Sequence, residues 1–327
     1  MRISLFLPHV GVFGGVRRYL ELGNAWTAQG HSVTLFHPAG SAPDWLPFRG
    51  SVAPLAAARN AAADLALCSD PHTWETFRAH RAGRHIYYCV LGRDPGLARA
   101  IADPTVTLAA NSCELRRAVA RRSGRVVLDG TGGIQLAQFH PDPARRPSGV
   151  LRVLVNGRRS RPKKGTDLIL GALRSIAGHV APFEIVLFDS LDPKNAQDPR
   201  DGAPLPANSR YVLNPTQDEL AALYQSAHVF LAAERKAGWC NTAIEAMASG
   251  CAVACTRSGT RDFARDGETA LVVPVRHWWF VARAAQRLLR DDELRARLGT
   301  KGLAAAAPWS WDRLAYRLLE QITTAAV

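Results

Sequence analysis

Apolar residues fall in short runs bounded by turn residues along the whole chain. In the first half this pattern predicts strands at 3–7, 33–37, 65–68, 86–90, 106–110 and 126–128. Helix-like stretches lie between several of them. The clearest is 15–29, with apolar side chains at Val16, Tyr19, Leu20 and Trp26 and with Gly30 as a stop. Residues 139–148 (FHPDPARRPS) are rich in proline and charge and read as a linker. The alternation then restarts. Strands are predicted at 151–155, 185–188, 211–213, 229–233 and 251–256, and helices at 167–177 and 218–227. Three more helices are predicted at 278–289, 293–306 and 311–322. The stretch 190–209 has repeated Pro, Asp, Asn and Gly and reads as a long functional or mobile loop. Strands alternating with helices specify a parallel, doubly wound α/β sheet, and the restart specifies two of them.

Two segments carry candidate chemistry. The first is 238–250, GWCNTAIEAMASG, a glycine-containing turn leading into a helix of small residues between two strands. Such a loop sits at the carboxyl end of a parallel sheet, where open α/β sheets bind ligands. Its helix carries one carboxylate, Glu245, between Ile244 and Ala246. A half-buried carboxylate needs partners, and paired hydroxyls of a ribose would serve. The second is 156–165, NGRRSRPKKG, between a strand and a helix. Arg158, Arg159, Arg161, Lys163 and Lys164 repel one another there unless an anion or solvent compensates. The helix start that follows also favours anions, so a diphosphate suits this loop, with a solvated basic loop as the competing reading. Gly14 and Gly15 follow the first strand and let the backbone approach a ligand closely, though they lack the Gly-x-Gly-x-x-Gly spacing.

Composition narrows the setting. The 327 residues suit two domains, and 47% hydrophobic content suits ordinary globular cores. No apolar run approaches the roughly 18–20 residues of a membrane span. The six cysteines form no Cys-x-x-Cys pair and sit mostly among apolar neighbours, so reduced thiols in a cytoplasmic protein are expected. The net charge of +13 favours an anionic partner: nucleic acid, an anionic membrane or a phosphorylated substrate. A compositional bias toward arginine is the competing reading.

Taken together, the segments resemble the retaining, nucleotide-sugar-dependent glycosyltransferases of family 4, which have the GT-B fold. The resemblance runs through the double glycine and GHSVTLF, ANSCELRR at 110–117, GGIQLAQFHP at 132–141, the G-R-x5-K-G spacing from Gly157 to Gly165, IEAMASGCAV, GTRDFARDGETALVVP, and SWDRLAYRLLEQI. It implies two Rossmann-like domains facing across a cleft: an acceptor-side domain at 1–145, a donor-side domain at 146–310, and a terminal helix at 311–327 crossing back to the first. Arg158 and Lys164 should grip the donor diphosphate, and Glu245 the ribose hydroxyls. The backbone of Gly238, Trp239, Cys240, Asn241 and Thr242 should contact sugar and phosphate, with Gly14 and Gly15 closing over the reacting centre. Two positions depart from the family. Its first motif Glu falls at Ala237, with Glu234 nearby, and its His-Glu-Pro-like segment reads Ser69-Asp70-Pro71, followed by His72.

The implied activity is transfer of a sugar from a nucleoside-diphosphate sugar to an unidentified hydroxyl acceptor, with retained configuration. Negative charge grows on the leaving oxygen, and Arg158 and Lys164 would stabilise it. The chain has no Asp-x-Asp triplet, so no metal or other cofactor is expected. Residues 114–125 (ELRRAVARRSGR) would place several arginines on one helix. Peripheral contact with an anionic membrane, at the inner face, and a solvated basic surface both stay open for it. Other readings are a sugar-nucleotide epimerase, a catalytically idle sugar-binding relative, and a basic nucleic-acid-binding protein. The last has no recognisable nucleic-acid module, so no nucleic-acid partner is expected.

Overall fold

The computed structural model describes residues 1–191 and 204–324. Most of the expected 190–209 loop therefore lies outside the described residues. The chain divides into two compact units, Met1–Gly133 with Trp309–Val327, and Ile134–Pro308.

The first unit holds β1 (Arg2–Phe6), α1 (Gly14–Ala28), β2 (Ser32–His37), β3 (Ser51–Pro54), β4 (Ala62–Cys68), α2 (Trp74–Ala79), β5 (Arg81–Cys89), α3 (Pro95–Ala102), β6 (Val106–Ala110), α4 (Cys113–Ser123) and β7 (Val127–Asp129). Its sheet is parallel throughout, in the order β3-β2-β1-β4-β5-β6-β7. Alternation along β1 sends Ile3 and Leu5 to one core and Phe6 to the other. Edge strand β3 escaped the sequence pattern because its residues are half-exposed or exposed and show no apolar alternation.

The second unit holds β8 (Leu151–Asn156), α5 (Thr166–Ile176), β9 (Phe183–Asp189), β10 (Ser209–Leu213), α6 (Gln217–Ser226), β11 (Val229–Ala232), α7 (Asn241–Ala248), β12 (Ala252–Cys255), β13 (Leu271–Val272), α8 (Trp278–Arg290) and α9 (Asp292–Ala306). Its parallel sheet runs β10-β9-β8-β11-β12-β13. Val153 and Val155 of β8 pack with Ile169 and Leu173 of α5 and Ala285 and Leu288 of α8. This unit begins at Ile134 rather than at the expected residue 146. The segment meant as a linker is anchored in it: Phe139 packs edge-on against Tyr224, and Gln138 Nε2 donates to the Gln217 carbonyl at 2.8 Å.

The chain re-joins the first unit at Trp309. Helix α10 (Trp311–Thr324) buries Leu314, Leu318 and Ile322, spaced four apart, in the core beside α1. The Trp26 indole donates to the Ala315 carbonyl at 3.0 Å. Gly133 is required here: its φ is +116°, and a Cβ would lie 2.2 Å from the Trp311 ring.

In both sheets the strand order reverses once, between β1 and β4 and between β8 and β11. At such a reversal neighbouring loops splay apart beyond the carboxyl ends of the strands and leave a crevice. The loops after β1 and β4, and after β8 and β11, are therefore where each unit offers a site.

Candidate functional site

The switch point of the second sheet gathers the cationic loop after β8 and the loop after β11. The cationic loop is short and stiff. Pro162–Lys164 form one 3-10 turn, and Gly165, at φ +78°, starts α5. A Cβ at Gly165 would lie 2.4 Å from the Ala233 carbonyl oxygen, so the two loops meet there. They are also stitched together. Arg235 N–H donates to the Lys163 carbonyl at 2.8 Å, and Arg276 donates to the carbonyls of Ala233 at 2.6 Å and Pro162 at 2.9 Å.

Three of the five cations of this loop face carboxylates of the chain itself. Lys164 Nζ lies 2.7 Å from Glu234 Oε1, Arg159 Nε 2.9 Å from Asp167 Oδ1, and Arg158 Nε 3.8 Å from Asp189 Oδ1. Asp167 opens α5 just after the loop, while Asp189 at the end of β9 and Glu234 in the loop after β11 come from places that local sequence does not connect. Burial alone would lower the Lys164 pKa, but neighbouring groups, Glu234 first among them, together raise it. Lys163 is lowered, by burial and then by the neighbouring Lys164 and Arg161. The loop keeps a positive bias on that side.

Glu245 lies on α7 and is buried. The Tyr224 hydroxyl of α6 donates to its Oε2 at 2.9 Å, and burial followed by this carboxylate raises the Tyr224 pKa. The Cys240 thiol is raised by burial and then by Glu234, and it bears on both Lys164 and Tyr224. Trp239 is buried edge-on against Phe263 at 5.0 Å. One expected backbone contact is corrected: Cys240 N–H already donates to the Gly259 carbonyl at 2.8 Å. Asn241 and Thr242 open α7, where amides lack intrahelical acceptors. At Ala237 the backbone N–H donates to Ser258 Oγ at 2.8 Å, and Cβ packs beside Gly259. Among the described residues, the two non-glycine residues with positive φ, Asn214 and Lys236, follow β10 and β11 at this same rim. Asp189, Tyr224 and Arg276 escaped sequence reading, as did Tyr211, whose hydroxyl donates to the Gly157 carbonyl at 2.8 Å.

In the first unit Gly14 and Gly15 open α1, and Phe13 supplies no side-chain cap. A Cβ at Gly15 would meet nothing within 4 Å. His72 is exposed, with Nδ1 2.8 Å from Asp70 Oδ1. Helix α4 ends at Gly124, so Arg125 leaves it and donates instead to the carbonyls of Ala100 and Asp103. Leu115 and Val119 of α4 are core residues, and this face is closed to a membrane. Its exposed side carries Arg117, Arg121 and Arg122. All six cysteines are free thiols. Among the described residues no helix is long and apolar enough to cross a membrane.

Two parallel α/β units with a basic loop and a carboxylate helix at one switch point define a GT-B-type architecture. Residues 145–304, which make up most of the second unit, match the model of the family Glycosyl transferases group 1. A 176-residue stretch covering 53% of the chain is 28% identical to a phosphatidyl-myo-inositol mannosyltransferase of Mycobacterium leprae. A 101-residue stretch covering 31% is 36% identical to a D-inositol 3-phosphate glycosyltransferase of Streptomyces bingchenggensis. These matches span 46% and 22% of the two relatives, so the chain covers less than half of either. Among solved structures, sucrose-phosphate synthase from Thermosynechococcus elongatus superposes with a TM-score of 0.77 at 20% identity, all of both chains being covered. Anabaena HepE in complex with UDP and glucose gives 0.80 at 14% identity, over 99% of this chain and 100% of that one.

Proposed function

We propose that the protein is a glycosyltransferase that binds a nucleoside-diphosphate sugar at the switch point of the second sheet and passes the sugar to a hydroxyl acceptor. The convergence of Arg158, Lys164, the start of α7 and Glu245 on one rim carries this reading. In it the diphosphate lies against Arg158 and Lys164, beside the amides that open α7. Glu245 accepts hydrogen bonds from the ribose hydroxyls. The two cations are aimed at oxygens whose charge grows as the glycosidic bond breaks, so they stabilise the transition state more than the bound donor. The reading assigns this charge to Arg158 and Lys164 rather than to a metal ion, and it keeps retention of configuration.

UDP in a structural neighbour and inositol in the names of both curated relatives choose the first probes. The test is incubation with UDP-, GDP- and dTDP-sugars, with and without myo-inositol and simple glycoside acceptors. Nucleotide release and thermal stabilisation are followed. Acceptor-dependent release of nucleoside diphosphate is expected. Conversion of the sugar nucleotide without acceptor would instead show an epimerase. No stabilisation by any nucleoside diphosphate would overturn the donor site.

A further inference from the structure

The ammonium assigned to the donor diphosphate already has an anion against it. Lys164 Nζ and Glu234 Oε1 are 2.7 Å apart, and the two side chains are only 24% and 9% exposed. Among the described residues the other oxygen of Glu234 accepts no hydrogen bond. Both ends of the pair are held by backbone. The Glu234 carbonyl accepts from Thr256 Oγ1 at 2.7 Å, the Arg235 amide is tied to Lys163, and Gly165 abuts Ala233. The carboxylate therefore cannot leave Lys164 by a loop shift without breaking these contacts. A diphosphate reaching Lys164 must share it with a fixed negative charge.

Like charges on one cation repel, and the repulsion grows with ligand charge. A sugar nucleotide carries its diphosphate as a diester. Once the sugar is gone the terminal phosphate is a monoester and gains negative charge near neutral pH. Glu234 must then oppose the product more than the donor. Resting on the donor site proposed above, we infer that Glu234 is a built-in competitor for Lys164 that selects the sugar nucleotide over the nucleoside diphosphate and promotes release of the product.

The test is calorimetric titration of the full chain with UDP, GDP, dTDP and the corresponding glucose nucleotides, for the wild type, Glu234→Gln and Lys164→Met. Glu234→Gln keeps the shape of the side chain and removes its charge. It should tighten the nucleoside diphosphate about tenfold, the effect of one charge within 4–6 Å, and tighten the sugar nucleotide by less. Lys164→Met should weaken both. The unliganded Glu234→Gln protein should melt lower, because Lys164 loses its counter-charge. Its gain in melting temperature on adding UDP should nevertheless exceed that of the wild type. A residue that merely props Lys164 would give the reverse: weaker diphosphate binding and a smaller gain. Weaker or unchanged binding in the variant, with the wild type binding normally, overturns the competition alone. Absence of binding by the wild type overturns the donor site and the competition together. Glu234→Ala repeats the comparison if the glutamine variant does not fold.

Discussion

The rim of the second sheet and the start of α1 in the first unit were both marked by sequence as ligand sites, and they are built in opposite ways. The second rim is crowded. Arg158 and Lys164 are matched by buried carboxylates, its loops are cross-bonded, and a Cβ at Gly165 would lie 2.4 Å from a backbone oxygen. The start of α1 is bare. It has no side-chain cap, and Gly15 faces open space. Substitutions in the crowded rim must therefore disturb fold and ligand together. At Gly15 nothing in the fold itself demands glycine, so any demand must come from a ligand.

The largest expected effect is at Arg158. Its replacement by Ala should lower the turnover rate about 10²–10³-fold, the usual loss for one preorganised donor to a developing oxyanion. Initial rates of nucleotide release at saturating donor measure it. Asp189 would lose a charge partner, although the Ser190 amide still donates to it at 2.6 Å. Arg158→Lys keeps the charge and should recover part of the rate. An unchanged rate in the alanine variant would remove the cationic loop from the chemistry and leave the crowded rim purely structural.

Glu245 comes next. A charge-assisted hydrogen bond contributes roughly 1.5–3 kcal/mol, so Glu245→Gln should weaken donor binding about tenfold to a hundredfold and leave turnover nearly intact. Gln still offers an acceptor to Tyr224. Glu245→Ala does not, and it should additionally destabilise the fold by about 1–3 kcal/mol through the buried hydroxyl. Donor titration and denaturant unfolding separate the two terms. Equal donor affinity in Glu245→Gln and wild type would refute the ribose role.

The two glycines set the comparison most directly. Gly165→Ala should destabilise the protein by about 1–2 kcal/mol from the left-handed backbone alone, with more from the contact with the Ala233 oxygen. Gly15→Ala should leave stability unchanged or raise it by up to about 1 kcal/mol, as alanine does within a helix. Transfer activity should nevertheless fall in Gly15→Ala if a substrate approaches that backbone. A variant that is both stable and fully active would show that the open start of α1 is only a strand–helix turn.

Sequence exposed the fold because period-two and helical patterns survive wherever a face is buried. Val153 and Val155 in β8, and Leu314, Leu318 and Ile322 in α10, are legible for that reason. Edge strand β3 and the two-residue β13 bury too little to leave a pattern. The unit boundary at Ile134 was hidden because Phe139 looks like a linker residue until Tyr224, far along the chain, packs against it. The rim was half legible. Local crowding gave away the cations, and the small-residue helix gave away Glu245. Their partners Asp189, Glu234 and Tyr224 come from other elements, and only the strand order brings them in.

The smallest expected effect sits at the amino ends of β8 and β11. His228 Nδ1 accepts the Arg152 amide at 3.0 Å, and its pKa is pushed down to about 4 by burial and then by Arg146, Arg295 and Arg152. A histidine lowered in the fold binds fewer protons there than in the unfolded chain, between about pH 4 and its ordinary value near 6.5. Unfolding then takes up a proton, so the contribution to stability is complete above that range and is lost as pH falls through it. The group is only half-buried, so solvent screens the effect. Denaturant unfolding at pH 7 and pH 5 should show a loss in the wild type that is smaller in His228→Asn. An identical loss in both would mean that other groups titrating in this range, not this imidazole, set the acid limit of the second unit.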